Sequence, residues 1–201
     1  MDTTEILLEK HPWEPFIPDN ARILIMGTFP PGNHRWSIDF YYPNRTNDFW
    51  YLMGLLFLND RNALYETKNK RFDVLVLETI GNNSIRSLMA EKHIALNDTA
   101  REVRRLKGNA SDKYLEIVRP VPLYDLLKIM PECRTVATTG EKAASVIAEI
   151  TGTDIPKMGD MIKSQDGLEI WRMPSTSRAY PLALERKAEY YAAMFRHIGI
   201  L

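Results

Sequence analysis

The sequence predicts an α/β fold, a three-layer αβα sandwich around a mainly parallel central sheet. Three observations predict it. Short apolar, β-rich runs recur along the chain, at Arg22–Met26, Phe72–Glu78, Thr135–Thr139 and Leu168–Trp171. Helical patterns separate them, which is the alternation expected of parallel strands joined by crossover helices. Two of the runs end in turn-rich segments, Gly27-Thr28-Phe29-Pro30-Pro31-Gly32 and Met173-Pro174-Ser175-Thr176-Ser177-Arg178. Sheets of this kind build their ligand sites at such carboxyl-end turns.

Each element follows from its local pattern. Residues 1–20 hold Pro12, Pro15 and Pro18 and read as a helical turn followed by an extended lead-in. Arg22–Thr28 is a strand, Pro31–Thr46 a long aromatic-bearing loop, and Asn47–Leu58 a helix. Phe72–Glu78 (FDVLVLE) is apolar and β-rich, the pattern of a central strand. A helix is expected over Asn82–Glu91 and a short strand over Ile94–Leu96, ending at Asn97-Asp98. Thr99–Lys107 and Ser111–Val118 read as helices, the second opened by Ser111-Asp112. Leu123–Met130 is a short helix, Thr135–Thr139 a strand, Gly140–Thr151 a helix and Leu168–Met173 the last strand. Leu182–Ile198 is a long amphipathic helix, with Leu184, Ala188, Tyr191 and Phe195 at helical spacing.

Composition narrows the function classes. A chain of 201 residues supports one sizeable core, and a single domain over 1–201 is expected. At 45% apolar residues, with 12 Pro and 10 Gly, it is globular and not disordered. Basic and acidic residues balance at 26 each, so attraction to nucleic acid has to come from a local patch. Cys133 is the single cysteine, which excludes an intrachain disulfide and a four-cysteine metal site and fits a reducing, cytoplasmic setting. The longest apolar run, Trp50–Leu58, is too short to span a bilayer. Asp2, Glu5 and Glu9 near the start are unlike a secretory signal. His11, His34, His93 and His197 lie apart without metal-ligand spacing, and no Ser/His/Asp order is legible. Gly140-Glu141-Lys142-Ala143 is not a phosphate loop and no G-x-G-x-x-G follows a strand. Neither a metal nor a cofactor is expected.

Three constellations carry chemistry. In the first, a Gly/Pro turn lets backbone approach a ligand, and Phe40, Tyr41, Tyr42, Phe49 and Trp50 crowd around Asn47. Loop aromatics suit stacking on a planar base, although taken alone such rings more often belong to a core. In the second, Ser175, Thr176 and Ser177 offer hydroxyls and amides to phosphate oxygens, with Arg178 next to them and Arg172, Arg186, Lys187 and Arg196 nearby. Arg186 and Arg196 equally fit an ordinary solvated helix face. In the third, Asn97-Asp98 ends an apolar strand at the same sheet edge. On its own, Asp98 reads better as the N-cap of a helix beginning at Thr99.

Together and in this order, ILIMGTFPPG, FYYPNRTNDFW, IALNDT, TTGEKA and MPSTSR resemble the uracil-DNA glycosylase superfamily, over about Ile23 to Arg196. Asn47-Asp48-Phe49-Trp50 is similar to the N-x-F-W of the mismatch-specific thymine/uracil branch. Gly27-Thr28-Phe29-Pro30 and Ile94–Asp98 are closer to the hypoxanthine-DNA glycosylase branch, and MPSTSR is similar to the thymine-DNA glycosylase loop. The resemblance implies a monofunctional DNA glycosylase that flips a deaminated or mispaired base out of double-stranded DNA and hydrolyses its N-glycosidic bond. It implies that Gly27, Thr28, Phe29, Tyr42 and Asp98 surround the base, with Phe29 or Tyr42 stacking on it. Asn47 would position the water. Pro174, Ser175, Thr176, Ser177 and Arg178 would bind DNA, Arg178 filling the gap left in the duplex. The partner so implied is double-stranded DNA with a damaged or mismatched base, bound by a monomer and without a membrane.

Two departures matter. Phe29 stands where many members place the Asp or Asn that handles the attacking water, and Met173 where many place a His that stabilises the departing base. They leave open a non-catalytic DNA- or nucleobase-binding module on the same fold. An unrelated α/β enzyme acting on a small molecule is a third possibility. Asp98 falls where many members read uracil with Asn. An ionised Asp only accepts hydrogen bonds, which suits the N1–H of hypoxanthine better than the O4 edge of uracil.

Overall fold

The computed structural model describes residues 7–65, 85–106 and 114–201. Along them run β1 (Leu8–Lys10), β2 (Ile23–Gly27), α1 (Phe49–Leu58), α2 (Ile85–Glu91), β3 (Ile94–Asp98), β4 (Ala100–Arg105) and β5 (Leu115–Pro120). Then come α3 (Leu123–Lys128), β6 (Thr135–Thr139), α4 (Glu141–Thr151), β7 (Met161–Lys163), β8 (Glu169–Met173) and α5 (Leu184–His197).

The central sheet has the order β3-β2-β6-β8-β7. Its first four strands are mutually parallel, and β7 pairs antiparallel to β8 at the edge. Parallel strands are covered on both faces and so lack polar alternation. Ile23, Leu24, Ile25 and Met26 of β2 are all fully buried, as are Ile94, Ala95 and Leu96 of β3. Ile23 and Ile25 face a core built with Leu52 of α1, Leu88 of α2 and Tyr191 and Phe195 of α5. Leu24 and Met26 face the opposite core, with Leu123 and Leu126 of α3 and Ile147 of α4. These are the three layers the sequence predicts.

Connectivity places the site. From β2 the chain crosses to β3 on one side and later returns to β6 on the other. This reversal is the topological switch point, where the carboxyl ends of neighbouring strands open a crevice. Register brings Gly27 beside Asp98, and β6 ends alongside at Thr139.

A second, three-stranded antiparallel sheet, β1-β4-β5, overturns three expectations. Ala100–Arg105 is a strand, not part of a helix over Thr99–Lys107. Register shifts between Ala100, Glu102 and Val103 put the two inward residues, Ala100 and Val103, three apart. A bulge has therefore copied a helical spacing. Leu115–Pro120 is also a strand where Ser111–Val118 reads as a helix. Its charges are cross-strand partners, Arg104 with Glu116 and Arg119 with Glu102. Near the start, Leu8–Lys10 pairs with β4 where a helical turn is expected, and Glu9 reaches Arg105. Asp98 consequently caps no helix, because the chain passes from β3 through Thr99 directly into β4. Strand β7 has no counterpart in the sequence reading. The strand expected over Phe72–Glu78 lies outside the described residues.

Candidate functional site

A cavity of about 660 Å³ opens at the switch point. The carboxyl ends of β2, β3 and β6 contribute Gly27, Asp98 and Thr139, and the loops after β2 and β8 supply the rest. Gly27, Thr28, Phe29, Tyr42, Asn47, Asp98, Ser175, Thr176 and Ser177 line this one space. Pro174 and Arg178 lie outside the lining. The Pro174 carbonyl accepts the Tyr191 hydroxyl at 3.1 Å.

The floor is built around a missing side chain. A Cβ on Gly27 would stand 2.6 Å from Asp98 Oδ1, so only glycine lets the carboxylate rest over β2. Asp98 is buried, and its Oδ2 meets His11 Nε2 at 2.9 Å. His11 is itself buried, among Trp13, Phe29 and Tyr41 at ring-centroid distances of 5.4–5.7 Å.

Tyr42 forms one wall. It adopts a left-handed backbone (φ 52°) that a bulky residue rarely holds. Its ring stacks on Phe49, centroids 3.8 Å apart and nearly parallel, and its hydroxyl lies 3.3 Å from Thr139 Oγ1. Burial, then the charge of Asp98, pushes its phenol well above the ordinary tyrosine range. The ring is thus a neutral surface at physiological pH. Phe29 is half-buried against His11, with the Arg105 guanidinium 5.9 Å from its ring centre.

Asn47 turns the chain into α1. Its Oδ1 accepts the Phe49 N–H at 2.9 Å, which leaves the Nδ2 amide as the polar group it can offer a ligand. Ser175 Oγ accepts the Ser177 N–H and Ser177 Oγ accepts the Ala179 N–H, at 3.2 and 3.3 Å. These bonds occupy lone pairs and leave both hydroxyl protons for an acceptor. Ser175 is half-buried, Ser177 exposed and Thr176 buried. Gly140, with φ 128°, packs against Ser175 at the end of β6.

What joins the two loops was not foreseen from the sequence. Residues 47 and 177 form a β-bridge, and the Asp48 N–H donates to the Thr176 carbonyl at 2.7 Å. Lys187 of α5 is fully buried; its Nζ donates to Asp48 Oδ2 at 2.8 Å and to the Ser177 carbonyl at 2.9 Å. Arg178 Nε donates to Asp48 Oδ1 at 3.1 Å, its guanidinium 5.1 Å from the centre of the Tyr51 ring. Burial works against the Arg178 charge, but the hydrogen bonds to Asp48 and Tyr51 outweigh it and raise its pKa. A signal for Lys187 did exist. It stands three residues after Leu184 and four before Tyr191, inside the apolar stripe. His11 left no comparable trace. Met173, fully buried, belongs to the core.

The fold has a solved counterpart. The structure described as a "putative Uracil DNA glycosylase" from Methanosarcina acetivorans matches with a TM-score of 0.63 and 22% identity, over 96% of this chain and 99% of that one. That likeness shows the fold. No protein-family model and no curated protein sequence matches the chain.

Proposed function

We propose that this chain is a monofunctional DNA glycosylase that hydrolyses the N-glycosidic bond of a flipped, deaminated or mispaired base in double-stranded DNA. The observation that carries the reading is the meeting of Asp98, Tyr42, Asn47 and Ser175–Ser177 around one cavity at the switch point. Its volume falls within the roughly 300–1,000 Å³ of small-ligand sites. The solved counterpart, by its description a "putative Uracil DNA glycosylase", supports the same class.

The residues divide the work. Asp98 offers Oδ1 at the floor as a hydrogen-bond acceptor for a ring N–H, such as N1–H of a deaminated purine or N3–H of uracil. Tyr42, or Phe29 across the mouth, supplies the stacking face. Ser175 and Ser177 donate hydroxyls to backbone phosphates beside the flipped nucleotide. Asn47 holds the attacking water, or the departing base, through Nδ2, because its Oδ1 is taken by Phe49. It takes no proton. Catalysis then rests on positioning and on departure of the base as a stabilised anion, which takes up the proton that the attacking water loses, and the missing general base costs on the order of 10²–10⁴ in rate. For Arg178 to enter the duplex as a wedge it has to leave Asp48.

The test is a panel of duplexes holding hypoxanthine, xanthine, uracil or a thymine mispair, scored for abasic sites. Abasic sites in at least one of these duplexes are expected. Phe29 and the buried Met173 in place of acid and histidine favour a second reading, a binding module without turnover. Duplex binding with no abasic product on any lesion establishes that one instead.

A further inference from the structure

We propose that His11 is the specificity-determining partner of this site, setting the hydrogen-bond polarity that Asp98 shows the cavity. The identity of the ligand rests on the base-excision reading; the role of His11 does not.

The argument begins at the imidazole. His11 Nε2 lies 2.9 Å from Asp98 Oδ2. A carboxylate oxygen only accepts, so the hydrogen bond runs from His11 Nε2–H to Asp98 Oδ2. The other ring nitrogen is compatible with this. The Trp13 N–H points at Nδ1 at 3.2 Å and the Trp13 carbonyl lies 2.9 Å from it. Nδ1 accepts the first in the neutral ring or donates to the second in the imidazolium, and Nε2 carries a proton in both. Tyr41 stacks on the ring and Trp13 and Phe29 pack edge-on, so it has no room to turn over.

A donor fixed on Oδ2 leaves Oδ1 over Gly27, at the cavity floor. Among the described residues no protein group donates to Oδ1. An acceptor without a donor of its own selects a ligand with an N–H at that point, such as the lactam edge of a 6-oxopurine, over one with a bare ring nitrogen. The same logic makes an inverting substitution. In Asp98→Asn the His11 donor captures the amide oxygen, which turns Nδ2 toward the cavity. The floor then offers a donor and selects a ring nitrogen carrying a lone pair.

The experiment uses the full chain and two free bases that differ at this edge, hypoxanthine with N1–H and purine with a bare N1, followed by titration NMR or calorimetry. One hydrogen bond to a charged group corresponds to roughly ten- to hundredfold in affinity. Native protein is expected to prefer hypoxanthine by about tenfold or more. Asp98→Asn is expected to reverse the order, and Asp98→Asn combined with His11→Phe to show no preference. His11→Gln keeps a donor and is expected to retain the native order, which covers a failure of the Phe variant to fold. ¹⁵N spectra of the native protein are expected to show a protonated His11 Nε2. An inversion that survives His11→Phe, equal binding of both bases by the native chain, or an unprotonated Nε2 overturns the proposal. Base selection with the expected polarity but no abasic product on any duplex leaves His11's role standing and refutes only the glycosylase reading.

Discussion

Lys187→Met cuts the link between the two halves of the site while keeping most of the side-chain stem. In the native chain the ammonium is fully buried and bonds to Asp48 Oδ2 and the Ser177 carbonyl at 2.8 and 2.9 Å. Removing one partner of a buried pair strands the other charge, typically at about 3–5 kcal/mol. Asp48 keeps the half-exposed Arg178 at 3.1 Å, which places the loss near the lower end, about 3 kcal/mol. For a chain of this length each kcal/mol moves Tm by roughly 2–4 °C, so a fall of about 6–12 °C is expected. Thermal unfolding by circular dichroism measures it. The double variant Asp48→Asn with Lys187→Met strands no charge and is expected to recover part of the loss, which a double-mutant cycle resolves. A fall below about 2 °C in the single variant, or a double variant no better than the single, refutes the claim that this ammonium holds the loops together.

Three further expectations follow from the same geometry. Gly27→Ala drives a methyl group into Asp98 Oδ1 and forces the carboxylate off His11; the fold is expected to persist at a cost of about 1–3 kcal/mol, with nucleobase binding abolished in titration NMR. Asn47→Ala removes both the bond to Phe49 and the Nδ2 donor, whereas Asn47→Asp keeps an oxygen for Phe49 and loses the donor. Both are expected to slow abasic-site formation at least about tenfold, but only the alanine variant to lose roughly 0.5–2 kcal/mol in urea melts. Stability is expected to fall in alkali. Burial pushes the Cys133 thiol from 9.0 up to about 11 and raises the Tyr42 phenol, so the unfolded chain releases these protons first. The stabilisation is complete below pH 9 and is lost as pH rises toward 11; by pH 10.5 Cys133 alone withdraws roughly 2 kcal/mol. An unchanged urea midpoint between pH 8 and pH 10.5 contradicts it.

The parallel sheet was legible because its strands are buried on both faces. Runs such as Ile23–Met26 need no partner to be recognised. The small antiparallel sheet was not. Its strands carry Arg101, Glu102, Arg104, Arg105, Glu116 and Arg119, charges that suit a solvated helix in isolation and become cross-strand pairs only after folding. The bulge in β4 removed the remaining signal, since period 2 broken by one residue gives the spacing of a helix turn. The same tertiary choice changed Asp98 from a helix cap to a floor residue.

The site was legible in its location and illegible in its polarity, and the two depend on different information. Location follows from strand ends, because every residue just past β2, β3, β6 or β8 reaches the same sheet edge once the strands are parallel. Polarity is decided by which atom of each side chain is already occupied. Asn47 offers a donor because Phe49 takes its oxygen, and Asp98 offers one oxygen because His11, 87 positions away, takes the other. Arg178 is drawn onto Asp48 by a charge that Lys187 only partly satisfies. None of these partners is near in sequence except Phe49. Chemical roles at such a cleft therefore depend on the long-range hydrogen bonds behind it, and His11→Phe and Lys187→Met alter those bonds without replacing a residue that lines the cavity.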